Sequence, residues 1–345
     1  MKYLEIPGDY LEGGGQILRT SVALSCVTGR PIKVNNIRAK RDNPGLKPQH
    51  LAVLKTLEKL FEAKTSGLEI NSREISFAPI KNKIPKQSLG VDIGTAGSVG
   101  LLLQPILLAT SFKSEGLMLK INGGTAGLGA IPVEYYSNCI IPLLSQFGLR
   151  ADLKIHRRGY YPRGGGRVSV NINPLNNPKP ICLIEQGNLK MISGKSQASK
   201  DLVGRGVAER QAKEAEAVLK KDFPCQIEID VESLDTISIG SEINLYAYFD
   251  SFTILGADVL GEAGKLAEKV GKEAAEKLKN EIISSASVDV HMADNLIPWL
   301  ALLGGSIKTS SISLHTQTNI WVAELFFGKI FKVEGNLISS QGVKF

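Results

Sequence analysis

Three stretches of this chain repeat one pattern, and the repetition restricts the folds open to it. They are residues 3–38 (YLEIPGDYLEGGGQILRTSVALSCVTGRPIKVNNIR), 91–123 (VDIGTAGSVGLLLQPILLATSFKSEGLMLKING) and 288–315 (VDVHMADNLIPWLALLGGSIKTSSISLH). Each begins with a short apolar strand, passes a loop containing Gly or Asp, enters an apolar helix and leaves by another strand. In the first, Ile17, Leu18, Val22, Leu24 and Ser25 form a helical stripe, and Gly29 ends the helix as a C′ glycine does. A second helix follows in each copy, at 48–63, 132–147 and, shorter, 319–327. Two strands tend to come next, as in LEINSREISFAP of the first copy. The unit therefore reads strand–helix–strand–helix–hairpin. A period of about 85 residues is too long for a solenoid repeat. It predicts α+β subdomains with helices on one face of each sheet, the apolar first helices being buried where the subdomains meet.

Residues from about 184 to 280 fall outside the pattern. They carry their own apolar strands (KMISGKSQ, CQIEIDVES, INLYAYFDS) and a charged helix at 200–221. The entry follows NPLNNPKP (173–180), whose prolines and asparagines signal a turn or linker. A second charged helix, 262–283, should run exposed along the surface back to the main body. The expected organisation is a large unit, 1–183 with 281–345, made of three repeats (about 1–80, 88–178 and 281–345). A smaller domain, 184–280, is inserted in it. The length of 345 residues agrees with about two domains.

Composition narrows the class further. At 43% apolar and 22% charged, the chain is globular and not disordered. The stretch from Gly90 to Ser111 is broken by Asp92 and rich in Gly, a poor membrane span, so no membrane association is expected. The N-terminus, MKYLEIPGDYLEGGG, has no apolar core, so a secretory signal is not expected. The cysteines, at 26, 139, 182 and 225, form no CxxC pair, and the four histidines form no HExxH, which argues against a dedicated zinc site. Scattered free cysteines suit a reducing compartment, the cytoplasm. The net charge of +7 is compatible with a polyanionic partner but is weak evidence alone.

Five segments carry groups suited to chemistry. Glu12-Gly13-Gly14-Gly15-Gln16-Ile17-Leu18-Arg19 lies at a strand-to-helix transition, where glycines admit a ligand close to the backbone and helix N–H groups favour anions. Glu12 suits a divalent metal beside a phosphate, with Arg19 one turn along. The bland alternative is a flexible turn before a core helix, and no GKS/T follows to make a P-loop. Arg38, Lys40 and Arg41 precede the turn Asp42-Asn43-Pro44-Gly45, and Gln49 and His50 then open a helix. That is a phosphate-binding arrangement or, equally, a solvated basic loop. Residues 157–167 (RRGYYPRGGGR) put four arginines and two tyrosines in eleven residues. Arginine holds phosphates and tyrosine stacks on splayed bases; the alternative is a turn with its tyrosines in the core. His291-Met292-Ala293-Asp294-Asn295 opens an apolar helix after a strand at 288–290, with Asp294 and Asn295 as helix caps in the plain reading. His315 ends the strand SISLH. A lone histidine there is more often structural, yet a neutral imidazole is a competent nucleophile toward phosphorus when a metal neutralises the phosphate charge.

Taken in order, EGGGQILR, IRAKRDNPGLKPQH, GTAGSVGLLLQ, INGGT, RRGYYPRGGG, HMADNLIPWLAL and SLHTQTNIWVAELF resemble the segments of the RNA 3′-terminal phosphate cyclase family, from Glu12 to about Phe327. The resemblance implies three helix-bearing four-stranded sheets like the C-terminal domain of bacterial translation initiation factor three. It also implies a thioredoxin-like α/β domain inserted before the third repeat. The implied reaction consumes ATP and converts an RNA 3′-phosphate to a 2′,3′-cyclic phosphate through histidine adenylylation, the nucleophile being His315. Glu12 would bind Mg²⁺ or Mn²⁺. Arg19, Arg38, Arg41 and His50 would contact phosphates of ATP or RNA, and Arg158, Tyr160 and Arg163 would contact RNA. Gln104, His291, Met292, Ala293, Asp294 and Asn295 would line the nucleotide pocket.

The chain departs from the family pattern at Leu11, where Gly often stands, at Ala126, where Asp is common, and at Asn295, where Gln is common. Some members lack the histidine and act as RNA-binding factors in ribosomal RNA processing, which makes a catalytically inactive factor the alternative. A third class, enolpyruvyl transferases, is disfavoured because its Lys- and Arg-based substrate motifs are not evident. Homo-oligomerisation is left open.

Overall fold

In the first unit, alternating and helical apolar periodicities hand over to each other in turn. Strand β1 (Leu4–Pro7) leads through the glycine turn to α1 (Gly15–Thr28), followed by β2 (Ile32–Asn35), α2 (Pro48–Phe61), β3 (Lys64–Ser66) and β4 (Ile75–Ala78). The sheet order is β1-β2-β4-β3, with β1 parallel to β2 and the rest antiparallel. The structure is a computed structural model describing residues 2–80, 87–113, 115–127 and 129–343.

The second unit repeats this winding. It comprises β5 (Gln87–Asp92), α3 (Val99–Ser111), β6 (Leu117–Gly123), α4 (Val133–Tyr135), a π turn (Tyr136–Ile140), α5 (Ile141–Ser145), β7 (Arg150–Arg157) and β8 (Gly166–Asn173), in the order β5-β6-β8-β7. Strand β6 alternates buried and exposed residues along its whole length, as a sheet with one covered face requires.

Strand β9 (Ile181–Leu183) comes next in the chain and belongs to the third sheet. A fourth sheet then intervenes, made of β10 (Leu189–Ser199), β11 (Gln226–Leu234), β12 (Ser241–Phe249) and β13 (Ile254–Leu260) in the order β11-β10-β12-β13. Two helices pack on it, α6 (Val207–Leu219) and α7 (Ala267–Ile283). The third unit resumes with α8 (Val290–Leu303), β14 (Gly305–Lys308), α9 (Leu314–Phe327), β15 (Phe331–Glu334) and β16 (Leu337–Ser340). Its order, β9-β14-β16-β15, reproduces the winding of the other two. The architecture is therefore mixed α+β, with four four-stranded sheets among the described residues.

This corrects the expectation that residues 288–290 begin the third copy with a strand. Val288 makes one isolated bridge to Thr309, and Asp289 caps α8 by accepting the backbone N–H of Met292 at 2.8 Å. The third copy is thus complete, and the inserted segment falls after its first strand. Gly305 explains how β9 docks: a Cβ there would lie 2.1 Å from the Ile181 carbonyl oxygen. The charged helices also differ from expectation. Residues Lys200–Arg205 form a 3₁₀ turn ended by left-handed Gly206 before α6 begins, and α7 starts only at Ala267, after Gly264.

Helix α1 is buried from Gln16 to Val27 because α3 and α9 pack on opposite parts of it, with α2 alongside. One apolar cluster runs through the three repeated units, and a second lies between the fourth sheet and α6 and α7 (Ile192, Leu219, Leu245, Val270, Leu278). No helix among the described residues is long and apolar enough to cross a membrane.

Gly271 sets the spacing of α6 and α7, since a Cβ on it would meet the Gln211 carbonyl oxygen at 2.1 Å. Helix propensity favours Ala over Gly by about 1 kcal/mol, while overpacking a tight contact costs about 1–3 kcal/mol. Gly271→Ala is expected to be net destabilising, read as a lower urea midpoint with unchanged slope.

Candidate active site

The starts of α1 and α9 meet where the first and third units pack. Glu12 sits in the turn before α1, in which Leu11 and Gly13 both adopt positive φ (47° and 59°). His315 lies in the first turn of α9, capped by Ser313, whose hydroxyl accepts the Thr316 N–H at 2.9 Å. The histidine is therefore helical, which corrects its expected place at a strand end: Ser313 in SSISLH is a cap and not a strand residue. His315 Nδ1 lies 2.8 Å from Glu12 Oε2, and Arg41 pairs with the other oxygen of the same carboxylate. With Nδ1 engaged, Nε2 is the unpartnered ring nitrogen. The side chain of His315 is 44% exposed, open to a ligand.

Asp294 fixes this turn from below. Its Oδ1 accepts the Ser313 hydroxyl and, at 2.6 Å, the Thr316 hydroxyl. Burial pushes its carboxyl above the usual range, opposed by those two hydroxyls and by the neighbouring imidazoles of His315 and His291. Asn319 on α9 donates to the Asp294 backbone oxygen at 2.6 Å and accepts from Thr20 on α1 at 2.7 Å. Gln16 donates to the His315 carbonyl at 3.3 Å. Three helices are thereby locked to one another around one imidazole.

A cleft of about 380 Å³ opens beside His315. From the main body it is lined by Gln16, Arg19, Gln104, His291, Asp294 and Asn295. Arg19 donates to Gln104 Oε1 at 3.2 Å; burial lowers its pKa to about 10, which leaves it charged at neutral pH. The opposite wall comes from the fourth sheet and α7 and includes Asp258, Glu262, Lys265 and Lys277. Nothing in the sequence pointed to this wall, because residues so distant along the chain meet only through the tertiary fold.

Expected site residues divide into those brought together here and those not. Arg38, Arg41 and His50 cluster behind the α1 N-terminus. Arg38 donates to the carbonyls of Asn43 and Gly45, while His50 Nδ1 accepts the Lys47 N–H at 3.1 Å, so a neutral ring carries its proton on Nε2. Nε2 abuts Gly15, where a Cβ would lie only 2.2 Å away. Burial, then Arg19, Arg38 and Lys47, depress the His50 pKa to about 3. The ring is thus an uncharged donor and not a cation.

Met292 and Ala293 are fully buried and are not among the residues lining the cleft beside His315. Asp294 and Asn295 are not helix caps; Asp289 is. Tyr160 is 2% exposed and donates to Glu242 at 3.1 Å, so it cannot stack on a base. Arg158 is held against buried Glu134, whose carboxyl is pushed up by burial and by Glu242 and pulled back by Arg158 itself. Of that basic–aromatic segment, Tyr161, Pro162, Arg163 and Arg167 face solvent. Ala126 is buried and supplies no polar contact.

Fold and site together define an α+β protein of three like-wound sheets whose helix starts enclose a histidine-centred cleft with cationic and acidic walls. The family model for "RNA 3′-terminal phosphate cyclase" matches residues 10–333. The chain is 44% identical over 332 residues to the RNA 3′-terminal phosphate cyclase of Pyrococcus furiosus, covering 96% of this chain and 95% of that one. It is 42% identical over 334 residues to that of Staphylothermus marinus (94% and 92% covered) and 40% over 342 residues to that of Methanopyrus kandleri (97% and 96%). The chain belongs to the RNA 3′-terminal phosphate cyclase family.

The His50 environment gives a direct test. The folded pKa of about 3 lies below the unfolded value of about 6.5. The unfolded chain therefore binds more protons in that interval, and this residue's contribution to stability is lost as pH falls from about 6.5 toward 3. His50 ring resonances should not shift between about pH 7 and pH 5 in NMR titration, whereas an ordinary exposed histidine would titrate there.

Proposed function

We propose that the chain converts an RNA 3′-phosphate to a 2′,3′-cyclic phosphate at the expense of ATP, with His315 as the transient carrier of AMP. The observation that carries this reading is the engaged Nδ1 and unpartnered Nε2 of His315 beside a cleft with cationic and polar walls.

In the first step, His315 Nε2 attacks the α-phosphorus of ATP. A P–N bond forms, the P–O bond to the leaving group breaks, and pyrophosphate departs. Glu12 holds the Nδ1 proton and stabilises the charge that develops on the ring. In the second step, an oxygen of the RNA 3′-phosphate attacks the same phosphorus; the P–N bond breaks and His315 is restored. In the third, the neighbouring 2′-oxygen attacks the RNA phosphorus, losing its proton to solvent, and AMP leaves. That attack is intramolecular, so proximity lowers its barrier. Arg19, Arg38, Arg41 and neutral His50 are assigned to phosphate oxygens, with Gln104, His291 and Asn295 along the nucleotide. Asp294 positions His315. Arg163 stays assigned to RNA.

Among the described residues, no three His, Cys, Asp or Glu side chains are grouped to hold a metal ion. Glu12 alone fits as one oxygen ligand to Mg²⁺ or Mn²⁺ arriving with the triphosphate, the usual way Mg²⁺ is bound at phosphate sites. Such an ion would neutralise phosphate charge during attack. The repeated units are assigned to the initiation-factor-three-like fold, and residues 184–280 to an inserted thioredoxin-like domain, with its edges adjusted to β10 and α7. A cytoplasmic setting suits the four free cysteines.

Incubation with α-labelled ATP and Mg²⁺ should leave acid-labile label on the protein. His315→Ala should abolish both the label and cyclisation, and Glu12→Ala should slow adenylylation about a hundredfold. Absence of label on the wild type, or undiminished label on His315→Ala, would refute the mechanism and favour a non-catalytic RNA-binding role.

A further inference from the structure

Asp289 is a fully buried acid with no step of its own in the reaction, and it joins three parts of the molecule. Its Oδ1 accepts the backbone N–H of Met292 at 2.8 Å, which caps α8 in the third unit. Its Oδ2 accepts the backbone N–H of Gly256, on β13 of the fourth sheet, at 2.8 Å. The Tyr135 hydroxyl, from α4 of the second unit, donates into the fork between the two oxygens, 2.6 Å from each. Burial, and then Asp289 itself, push the Tyr135 phenol well above its usual range, so it stays protonated and remains a donor.

A helix cap needs only one of these bonds. Ser313, at the start of α9, caps with a single hydroxyl. The other two donors at Asp289 come from elements remote in the chain, and both lead to the His315 cleft. Gly256 lies two residues before Asp258 on β13, so the two share a face of the strand. Asp258 belongs to the fourth-sheet wall of the cleft, and His291, two residues after Asp289, belongs to the wall of the main body. Burial raises the Asp258 carboxyl, and nearby His291 and Lys277 oppose it. Tyr135 touches both sides. Its ring meets that of His291 edge-on, with centroids 6.3 Å apart. The same ring lies so close to β13 that a Cβ on Gly256 would come within 2.5 Å of it.

We propose that Asp289 is a positioning residue for the nucleotide, setting the separation between the two walls of the His315 cleft by clamping β13 and Tyr135 to the start of α8. The proposal rests on the cyclase reading, which seats ATP in that cleft. His315 itself is fixed by a different network. Asp294, further along α8, keeps its own ties to Ser313, Thr316 and Asn319. Loss of the clamp therefore spoils the fit of the nucleotide and leaves the nucleophile in place. Such a loss is of binding common to the ground and transition states, which raises KM with kcat unchanged.

Asp289→Ser separates the clamp from the cap. Serine caps a helix about as well as aspartate, but one short hydroxyl cannot also hold Gly256 and Tyr135. In adenylylation assays Asp289→Ser should raise KM for ATP about tenfold and leave kcat within about twofold of the wild type. Tyr135→Phe, which keeps the ring and removes the donor, should shift KM the same way by about threefold. The double variant should be no worse than Asp289→Ser, because both changes break one clamp. Equilibrium binding of ATP to His315→Ala, with and without Asp289→Ser, should show the same loss free of turnover. The urea midpoint reports whether each variant is folded, and Tyr135→Phe carries the test if Asp289→Ser is not. A wild-type KM in the folded variants would reduce Asp289 to a cap, and a fall in kcat with KM unchanged would place its effect on His315; either overturns the proposal. If the wild type takes no label from ATP, the cyclase reading fails, and the affinity of ATP for His315→Ala still decides whether the clamp sets the cleft. ATP binding to neither protein would overturn both.

Discussion

The site depends on one buried carboxylate, which holds the turn that carries His315. Asp294 collects the hydroxyls of Ser313 and Thr316 at the start of α9, while its own backbone oxygen holds Asn319 one turn later. Asn319 in turn receives Thr20 from α1. Apart from half-buried Ser313, these groups are buried, so each would cost free energy if left unpaired. The rotation of α9 about its axis and its depth against α1 are both set by this small network. His315 then has little freedom except about its own side chain, and Glu12 takes up that remainder through Nδ1. A helix that slid by one residue would orphan four polar groups and swing the imidazole off the cleft.

Much of this was legible beforehand, for a physical reason. Repeated strand–helix–strand periodicity survives divergence because every copy must bury the same faces, so the three sheets and their first helices could be read from the residues. The glycines before α1 declared a turn of unusual backbone, which Leu11 and Gly13 bear out with positive φ. The ordered segments, from the glycine turn through SLHTQTNIWVAELF, carried the family.

What was not legible shares a different cause. The residues 288–290, Val-Asp-Val, look like a strand by composition, and only the hydrogen bond from Met292 to the Asp289 side chain turns them into a helix start. SISLH misled in the same way through Ser313. Adjacent tyrosines at 160 and 161 cannot be ranked by type, since which one is buried depends on where residues 238–242 of the inserted segment come to rest. The far wall of the His315 cleft has no local signature, because Asp258 and Lys277 approach it from a separately packed layer. Local pattern predicts elements; it does not say which distant element will supply a neighbour.

The placement of β9 has a consequence for how the chain comes to be assembled. This strand pairs with β14, yet about a hundred residues of the fourth sheet and its helices lie between them. Left as loose chain, so long a gap would exact a closure entropy that grows with the logarithm of its length. The intervening segment instead carries its own apolar cluster, and its two ends are stitched together where Gln186 donates to the carbonyls of Ile282 and Ala286 at 3.1 and 3.0 Å. As the chain folds, β9 stays an unmated edge until this middle layer consolidates and delivers β14 alongside it, in register. The layer thus acts as a clasp in time as well as in space, since the helices α8 and α9 that complete the His315 site follow it along the chain.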